Sequence, residues 1–430
     1  MTTTATTASD VAEATATPAE STTEAQVDPA KPISADINER FNKVITELNG
    51  DILERQDVIH GLCVARVAQL HVLFIGPGGT GKSYLTRSLT QHISDSTYFE
   101  CAFDETTDPG QVFGPPDIKA MVEQGKNRRQ YEGMLPEATD AFLDEFFNGN
   151  TPLLHSIMPV LNERLFHNNG HPMDTPLRQA VMGTNKLNAD TDLAALWDRV
   201  HIRYSVESLK SRDSRQHMIE AAVARMARAG RGVAVGTGEE ITKVTVAELD
   251  QAHAEALALD FPEDAFATFL DLHEELKGSG VEFSDRRLND GALAVLANAW
   301  VRGHEAVTVG DLDILQSMWW TTLDQQAEAS KIILGAANPG EQKAMELQDE
   351  IAEVVAEFEK IGDPERKKRE AVSVIAQVDK LTREADAVRK AAVAASASTR
   401  RVDEVLGRAA KFKRDVAINI FGMSPSDLGA

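Results

Sequence analysis

The sequence has little cysteine and few positive charges relative to its negative ones. Its two cysteines, Cys63 and Cys101, stand in unrelated contexts, which excludes a disulfide framework and a cysteine-based metal site. Lys and Arg number 44 against 67 Asp and Glu, so the formal net charge is −23. Because a surface of that sign repels phosphate backbones and anionic lipid, nucleic acid is an unfavourable partner.

Long apolar runs and a secretion signal are also missing from the sequence. No apolar run approaches the roughly 18 residues that a membrane-spanning helix needs. The first ten residues, MTTTATTASD, contain no basic segment followed by an apolar one. The histidines are scattered without a ligand-like i, i+4 pair, so no zinc site is expected. We therefore expect a cytoplasmic protein that does not insert into membranes.

What the sequence does contain is enough apolar residues for several folded units. Its 430 residues are 42% apolar, which suits two or three domains. Residues 1–35 are an exception, because they are mostly Thr, Ala, Ser, Glu and Pro and cannot offset the entropy of ordering by burial. We predict a disordered, low-complexity tail there.

Residues 36–208 alternate short β-rich runs with helical patterns. This alternation predicts an α/β domain in which a five-stranded parallel sheet is covered by helices on both faces. The five predicted strands are HVLFI (71–75), YFECAF (98–103), AFLD (141–144), QAVMGT (179–184) and IRYSV (202–206).

Helical periodicity replaces the strand pattern in the second half of the chain. Residues 209–335 are predicted to form an all-α domain, with Leu293, Leu296, Ala297 and Trp300 as its clearest apolar stripe. Residues 336–430 have heptad-like apolar spacing and are predicted to form three helices. Their breaks are expected near 362–364 and 396–398.

The strongest local motif is GPGGTGKS, which directly follows an apolar strand and precedes a helix. That context fits a P-loop, in which backbone N–H groups and the helix N-terminus face the phosphates of ATP. Lys82 would bridge the β- and γ-phosphates, and Ser83 would bind Mg²⁺. The predicted nucleotide-binding residues are Gly76, Pro77, Gly78, Gly79, Thr80, Gly81, Lys82 and Ser83.

Two further strand ends have polar residues suited to hydrolysis. AFLDE ends in Asp144, predicted to hold Mg²⁺ through water, and Glu145, predicted to orient and deprotonate the attacking water. Asn185 follows the next strand and could hydrogen-bond the γ-phosphate or the nucleophilic water. An Asp-Glu pair or a Thr-Asn turn alone is common, so the prediction rests on their convergence at one edge of the sheet.

Two arginines could supply the positive charge that a γ-phosphoryl group requires during transfer. Arg199 lies in LWDRVHI and Arg286 in FSDRRL. Either arginine taken alone is more often part of a surface salt bridge. The ordered series of motifs favours the catalytic interpretation.

This series of motifs resembles that of AAA+ ATPases, and more narrowly of the MoxR family near its RavA-like branch. The resemblance spans about Phe41 to Trp320. The segments that carry it are VFGPPDIKAMVEQGKNRRQYEGMLPEATDAFLDE (112–145), LNERLFHNNG (161–170), TNKLNADTDLAALWDRVHIR (184–203) and FSDRRL (283–288).

The resemblance implies roles for both arginines. Arg199 would be an arginine finger that reaches the ATP site of an adjacent subunit. Arg286 would be a lid sensor that touches the γ-phosphate in its own subunit, with Arg287 as the alternative if the register differs by one.

The resemblance also implies an insertion within the second helix of the core. Residues 112–135 would form it, usually as a β-hairpin, and Phe113, Tyr131 and Met134 could contact substrate or pack within it. One feature departs from the RavA-like pattern: residues 340–430 show heptads and no β-rich insertion.

The function implied is an Mg-ATP-dependent, chaperone-like ATPase that remodels or matures a protein complex. Such a protein would form a homo-oligomeric ring, expected to be a hexamer, and would act with a von Willebrand factor A domain protein and a client protein. A nucleic-acid motor of MCM or initiator type and a slow nucleotide-switch scaffold remain as alternatives.

Overall fold

The computed structural model describes residues 33–185, 199–229, 241–394 and 399–423. Most of the predicted tail and the predicted break at 396–398 lie outside these ranges. Among the residues that the structure describes, no helix combines the length and apolar character needed to cross a membrane.

The described strands form one five-stranded sheet and two two-stranded sheets, and two isolated bridges lie outside them. In chain order the strands are β1 (Val72–Ile75), β2 (Ile93–Ser94), β3 (Tyr98–Ala102), β4 (Asp140–Asp144), β5 (Leu165–Asn168), β6 (His171–Asp174), β7 (Gln179–Thr184), β8 (Ile202–Ser205) and β9 (Val244–Thr245).

The helices alternate with the strands in the first half and dominate the second. In chain order they are α1 (Ala35–Asp51), α2 (Gln56–Ala68), α3 (Lys82–Gln91), α4 (Pro109–Phe113), α5 (Ile118–Gln124), α6 (Thr151–Glu163), α7 (Arg212–Ala229), α8 (Val246–Leu257), α9 (Glu263–Gly278), α10 (Asp285–Arg302), α11 (Leu323–Ala337), α12 (Pro339–Glu359), α13 (Pro364–Ala394) and α14 (Arg400–Asn419). A 3-10 helix spans Val309–Ser317.

The central sheet is parallel, with strand order β3-β4-β7-β1-β8, and it contains all five strands predicted from the sequence. Every residue of β1 and β7 is buried, because helices cover both faces of the sheet. All five strands end at the same edge, here called the carboxyl edge, and start at the opposite amino edge. The motifs that follow the strands therefore meet at the carboxyl edge.

The all-α part packs directly on the α/β part. The ring of Phe41 in α1 lies 6.2 Å from that of Trp300 in α10, and both side chains are fully buried. A single hydrophobic core continues from Ile37 through the sheet to Ala337. Apolar contact therefore fixes the helical lid to the sheet.

The C-terminal helices α12, α13 and α14 form a bundle around a core of their own. The predicted heptad positions Leu347, Val378 and Val405 are all nearly completely buried in it. Between 339 and 423, the described residues contain helices and no strand. The bundle agrees with the fold expected from the heptad spacing.

The segment expected to be a hairpin insertion is closed at its base by an antiparallel bridge between Pro116 and Arg129. Helix α5 occupies the middle of the segment, so the antiparallel pairing is confined to that one bridge. Phe113 stacks on Phe166 of β5 and Tyr131 meets the same ring edge-on, at centroid distances of 5.5 and 5.8 Å. These two aromatic residues, considered as substrate contacts, therefore pack internally.

Candidate nucleotide site

The loop after β1 curls tightly because glycines occupy its strained and crowded positions. Gly79 and Gly81 adopt φ angles of 79° and 89°, which side chains other than that of glycine rarely tolerate. A Cβ at Gly76 would overlap the carbonyl oxygen of Val206 after β8. Around Gly78, Gly79 and Gly81, by contrast, a Cβ would meet no atom within 4 Å. The loop is thus an open cradle lined by backbone.

Lys82 begins α3 and turns its side chain back into this cradle. Its exposed fraction is only 5%, and Nζ donates hydrogen bonds to the carbonyl oxygens of Gly76 at 2.7 Å and Pro77 at 3.1 Å. The amino end of α3 faces the same loop, so its N–H groups add partial positive charge. Ser83, the next residue, is half-buried. This donor set fits a polyphosphate.

Asp144 is the last residue of β4, at the carboxyl edge. Its Oδ1 accepts a hydrogen bond of 3.0 Å from the backbone N–H of Glu145. Glu145 takes a left-handed φ of 48°, and its Oε2 accepts from the side-chain amide of Asn148 at 3.2 Å. Two acidic residues therefore stand at the carboxyl edge, where the chain reverses directly after the strand.

Asn185 follows β7, which separates β1 from β4 in the sheet. The N–H of Gly76 donates to the carbonyl oxygen of Thr184 at 2.9 Å, so the loop begins directly beside the end of β7. Asn185 is exposed there, one residue further on. The structure thus brings Lys82, Asp144 and Asn185 to one edge on three adjacent strands. A hydroxyl and a carboxylate at this edge are suitable ligands for Mg²⁺.

Arg199 lies at the opposite edge of the sheet, three residues before β8 begins. Ile202 pairs with Val72 at the start of β1, whereas the P-loop follows Ile75. At about 3.3 Å per residue, the length of β1 alone separates the edge that carries Arg199 from the start of the P-loop by roughly 10 Å. The Nε of Arg199 is buried and has no hydrogen-bond acceptor among the described residues. Arg199 therefore lies at the edge of the sheet opposite the P-loop of its own chain.

Helix α2 provides a reference for the direction of α10. It leads into β1 through a short connection after Ala68, so its end lies near the amino edge. Gly61, earlier in the helix, abuts the ring of Tyr204 close to the carboxyl end of β8. Helix α2 therefore runs antiparallel to the strands.

Helix α10 runs in the opposite direction, from the amino edge to the carboxyl edge. Near its start, Asp290 Oδ2 lies 3.1 Å from Nε2 of His201, the residue before β8. Two turns later, Asn298 Oδ1 lies 2.7 Å from Nε2 of His60, at the early end of α2. The first turn of α10 therefore lies at the amino edge, with Arg199.

This direction bears on the lid sensor expected from the sequence. Arg286 is exposed and precedes Asp290 by one helical turn, so it lies still farther from the P-loop of its own chain. The alternative, Arg287, is buried, and its Nη1 donates to the carbonyl oxygen of Trp320 and to Thr321 Oγ1, both at 3.3 Å. The expected contact between Arg286 and the γ-phosphate of its own subunit does not fit this arrangement.

A cleft of about 1280 Å³ opens between the end of β8, the start of α2 and the C-terminal bundle. Its walls include Arg55 and Gln56 before α2, Ser205 at the end of β8, and Arg401 and Arg408 of α14. The side chain of Arg55 is largely buried, which lowers its pKa, and it donates to the carbonyl oxygen of Glu54 at 2.7 Å. This cleft could not be predicted from the sequence, because it forms between segments far apart in the chain.

Known proteins resemble this chain in sequence and in fold. Residues 39–251 match the family model of the MoxR domain in MoxR–vWA–β-propeller ternary systems. Two uncharacterised proteins of Methanocaldococcus jannaschii, MJ0079 and MJ0812, are 26% and 27% identical over 88% and 87% of this chain, and 97% and 98% of their own lengths. The structural protein ORF618 of Acidianus two-tailed virus is 27% identical over 38% of this chain and 27% of its own.

The fold has a counterpart in a crystal structure of a candidate ATPase from Cytophaga hutchinsonii. The match has a TM-score of 0.53 and 13% identity, and it covers 70% of this chain and 96% of that one. The closer likeness to the RavA-like branch stays a prediction. With the P-loop and the strand-end carboxylates at one edge of a sheet ordered β3-β4-β7-β1-β8, and with the match over residues 39–251, the chain belongs to the MoxR family of AAA+ ATPases.

Proposed function

We propose that this protein hydrolyses Mg-ATP at the interfaces between copies of itself in a ring, and that hydrolysis remodels a bound protein. Lys82 and the backbone N–H groups of the loop hold the β- and γ-phosphates. Ser83 and Asp144 hold Mg²⁺, which when bound neutralises charge on the phosphate oxygens. The carboxyl edge supports this role because it gathers an ammonium, a hydroxyl and carboxylates around an open cradle.

Glu145 and Asn185 act on the attacking water. Glu145 accepts a proton from the water as it attacks the γ-phosphorus, and Asn185 orients that water or a γ-phosphate oxygen from the neighbouring strand. The amide of Asn148, 3.2 Å from Glu145 Oε2, keeps the carboxylate beside the end of β4. A single chain places Lys82 at the cradle and Arg199 at the opposite edge of the sheet, so hydrolysis by a single chain should be slow.

The observation that carries the ring proposal is the position of Arg199 at the amino edge, opposite the P-loop of its own chain. An arginine at that edge serves hydrolysis only when it reaches the P-loop of another copy. Arg286 starts α10 at the same edge, so we propose that it too acts on the neighbour's ATP. Six copies in a ring would make each site depend on an adjacent subunit.

The partners follow from the family. The MoxR domains described by the matching model act in systems with a vWA protein and a β-propeller protein. We propose a von Willebrand factor A domain protein as partner and a separate client for this chain. Exposed apolar residues on α5, Ile118, Met121 and Val122, would offer a moving surface on the insertion.

Two substitutions test this function. Glu145→Gln should retain ATP binding and lose turnover, because only proton acceptance is removed. Arg199→Ala should also retain binding and lower kcat by about a thousandfold, the usual contribution of an arginine finger. Turnover is measured by phosphate release and binding by a fluorescent ATP analogue. A wild-type rate for Arg199→Ala contradicts the interface mechanism. Stimulation of ATP turnover by DNA would instead favour a nucleic-acid motor.

A further inference from the structure

The segment that carries Arg199 is fastened to the sheet through a chain of two histidines. The backbone N–H of His71, just before β1, donates to Nδ1 of His201 at 3.0 Å. The carbonyl oxygen of His71 accepts from the N–H of Ile202 at 3.1 Å. These two hydrogen bonds of His71 therefore fix the imidazole of His201, two residues after Arg199, and the backbone of Ile202, the next residue.

His71 is itself immobile. It is fully buried, its Nδ1 accepts from the N–H of Ala180 in β7 at 3.0 Å, and its Nε2 contacts the carbonyl oxygen of Leu161 in α6 at 2.7 Å. Burial holds the pKa of His71 well below its usual range, with the nearby charges of Arg164 and His201 acting in the same direction. The ring accepts at Nδ1, and its Nε2 lies between the carbonyl oxygen of Leu161 and Nη1 of Arg164, each at 2.7 Å.

The other face of His201 meets the lid. Nδ1 of His201 accepts the N–H of His71, and on the other side of the ring Nε2 lies 3.1 Å from Asp290 Oδ2, a close polar contact without hydrogen-bond geometry. Both side chains are mostly shielded from water, with exposed fractions of 12% and 14%. Because little water reaches this contact, the electrostatic attraction between the two side chains is screened less than it would be at the surface.

The spacing of these residues connects the pair to both arginines. Asp290 follows Arg286 by four residues, so the two lie on one face of α10 one turn apart. His201 follows Arg199 by two residues, and Val200 between them is buried. The contact between His201 and Asp290 thus joins the two segments that bring Arg199 and Arg286 to the amino edge.

We infer that His201 and Asp290 are positioning residues that set Arg199 and Arg286 together for the ATP of the neighbouring subunit. This inference rests on the proposed function. Transfer of a phosphoryl group is sensitive to displacements of about 1 Å in a charged group, so an unanchored α10 would weaken both arginines at once. The pair touches neither ATP nor the P-loop of its own chain.

The primary variants are Asp290→Ala and His201→Asn. Asn can still accept the N–H of His71 through Oδ1, since that atom overlays Nδ1 of the imidazole, but it cannot reach Asp290. Each variant should bind the fluorescent ATP analogue normally and lower kcat by roughly ten- to a hundredfold. The double variant should be no slower than either single one, because both remove the same contact. Asn289→Ala, exposed on the same turn, is the matched control and should turn over normally.

Mixing subunits separates positioning from folding. Glu145→Gln subunits lack hydrolysis but supply intact arginines, and Asp290→Ala subunits have an intact P-loop. A 1:1 mixture should therefore hydrolyse ATP faster than the two variants do separately. Its rate should reach up to about a quarter of the wild-type rate, since a quarter of the interfaces pair an Asp290→Ala P-loop with the arginines of a Glu145→Gln subunit. Glu145→Gln/Asp290→Ala subunits mixed with Asp290→Ala subunits should show no such gain.

Arg199→Ala mixed with Glu145→Gln is the reference that tells the two proposals apart. Rescue of Arg199→Ala supports the interface mechanism. If Arg199→Ala is rescued but Asp290→Ala already turns over at the wild-type rate, or cannot be rescued, the positioning role is overturned and the interface mechanism stands. If neither variant is rescued, the interface mechanism itself fails. Rescue of both variants supports the inference.

Discussion

Gly183 in β7 lies directly against the carboxylate of Asp144 in β4. A Cβ at Gly183 would come within 3.0 Å of Asp144 Oδ1, and it would also crowd the ring of Phe142 at 3.3 Å. Both neighbours belong to the adjacent strand, so an added Cβ would force the Asp144 carboxylate to move. The glycine therefore sets the place of the carboxylate that we assign to Mg²⁺.

Gly183→Ala should lower kcat by about ten- to a hundredfold, because it displaces Asp144 at the reacting centre. The Mg²⁺ concentration for half-maximal turnover should rise as well. Steady-state phosphate release across a Mg²⁺ titration measures both quantities. Gly50→Ala, where a Cβ meets nothing within 4 Å, is the control. Equal kinetics for the two variants would show that Asp144 does not depend on Gly183.

A buried ion pair near the amino edge should matter for stability. Nε of Arg66 in α2 lies 2.8 Å from Oδ1 of Asp140 in β4, and the two side chains are 0% and 5% exposed. Arg66→Met leaves the Asp140 carboxylate buried without its counter-charge, which should lower the free energy of unfolding by about 3–5 kcal/mol. Urea unfolding followed by circular dichroism measures this change.

The matched control is the exposed pair of Arg87 and Glu100, at 2.7 Å with exposed fractions of 53% and 31%. Arg87→Met should change stability by at most about 1 kcal/mol, because solvent screens the pair. If the two substitutions lower the free energy of unfolding equally, burial does not determine how much these ion pairs contribute to stability.

The protein should lose stability in mildly acidic solution through His71. Because its folded pKa lies well below the usual value of 6.5, the unfolded chain takes up a proton below pH 6.5 that the folded chain does not. This contribution is complete above pH 6.5 and is lost as the pH falls below it, by at most about 1.4 kcal/mol per pH unit. His60 and His253, whose pKa values burial also lowers, contribute in the same direction.

Urea unfolding between pH 7.5 and 5.5 tests this prediction. His71→Asn should flatten the dependence of stability on pH, although the variant is less stable at every pH. His155→Asn, at an exposed position of α6, should leave the dependence unchanged. If the stability of His71→Asn depends on pH as that of the wild type does, His71 is not a source of the stability lost in acid.

The strands and the P-loop could be predicted because local patterns determine them. Runs such as VLFI of β1 are apolar at every position, as expected for strands buried on both faces, and Gly79 and Gly81 mark backbone that other residues rarely adopt. Asp144 was recognisable because it ends such a run.

The environment of the arginines could not be predicted in this way. The position of Arg286 depends on the direction of α10, which is set by contacts such as that of Asn298 with His60, 238 residues apart in the chain. Likewise, Phe113 and Tyr131 pack on Phe166 of a hairpin about 35–53 residues further on, which only the tertiary fold reveals. Gly183 was missed because its role depends on its neighbour in β4.

We propose that each ATP site is completed by another copy of the chain. ATP turnover in a 1:1 mixture of Arg199→Ala and Glu145→Gln subunits tests it most directly, since each variant alone lacks one half of every site. We expect turnover well above the sum of the separate variants, up to about a quarter of the wild-type rate. Turnover equal to that sum, in mixtures shown to form mixed rings, would contradict it.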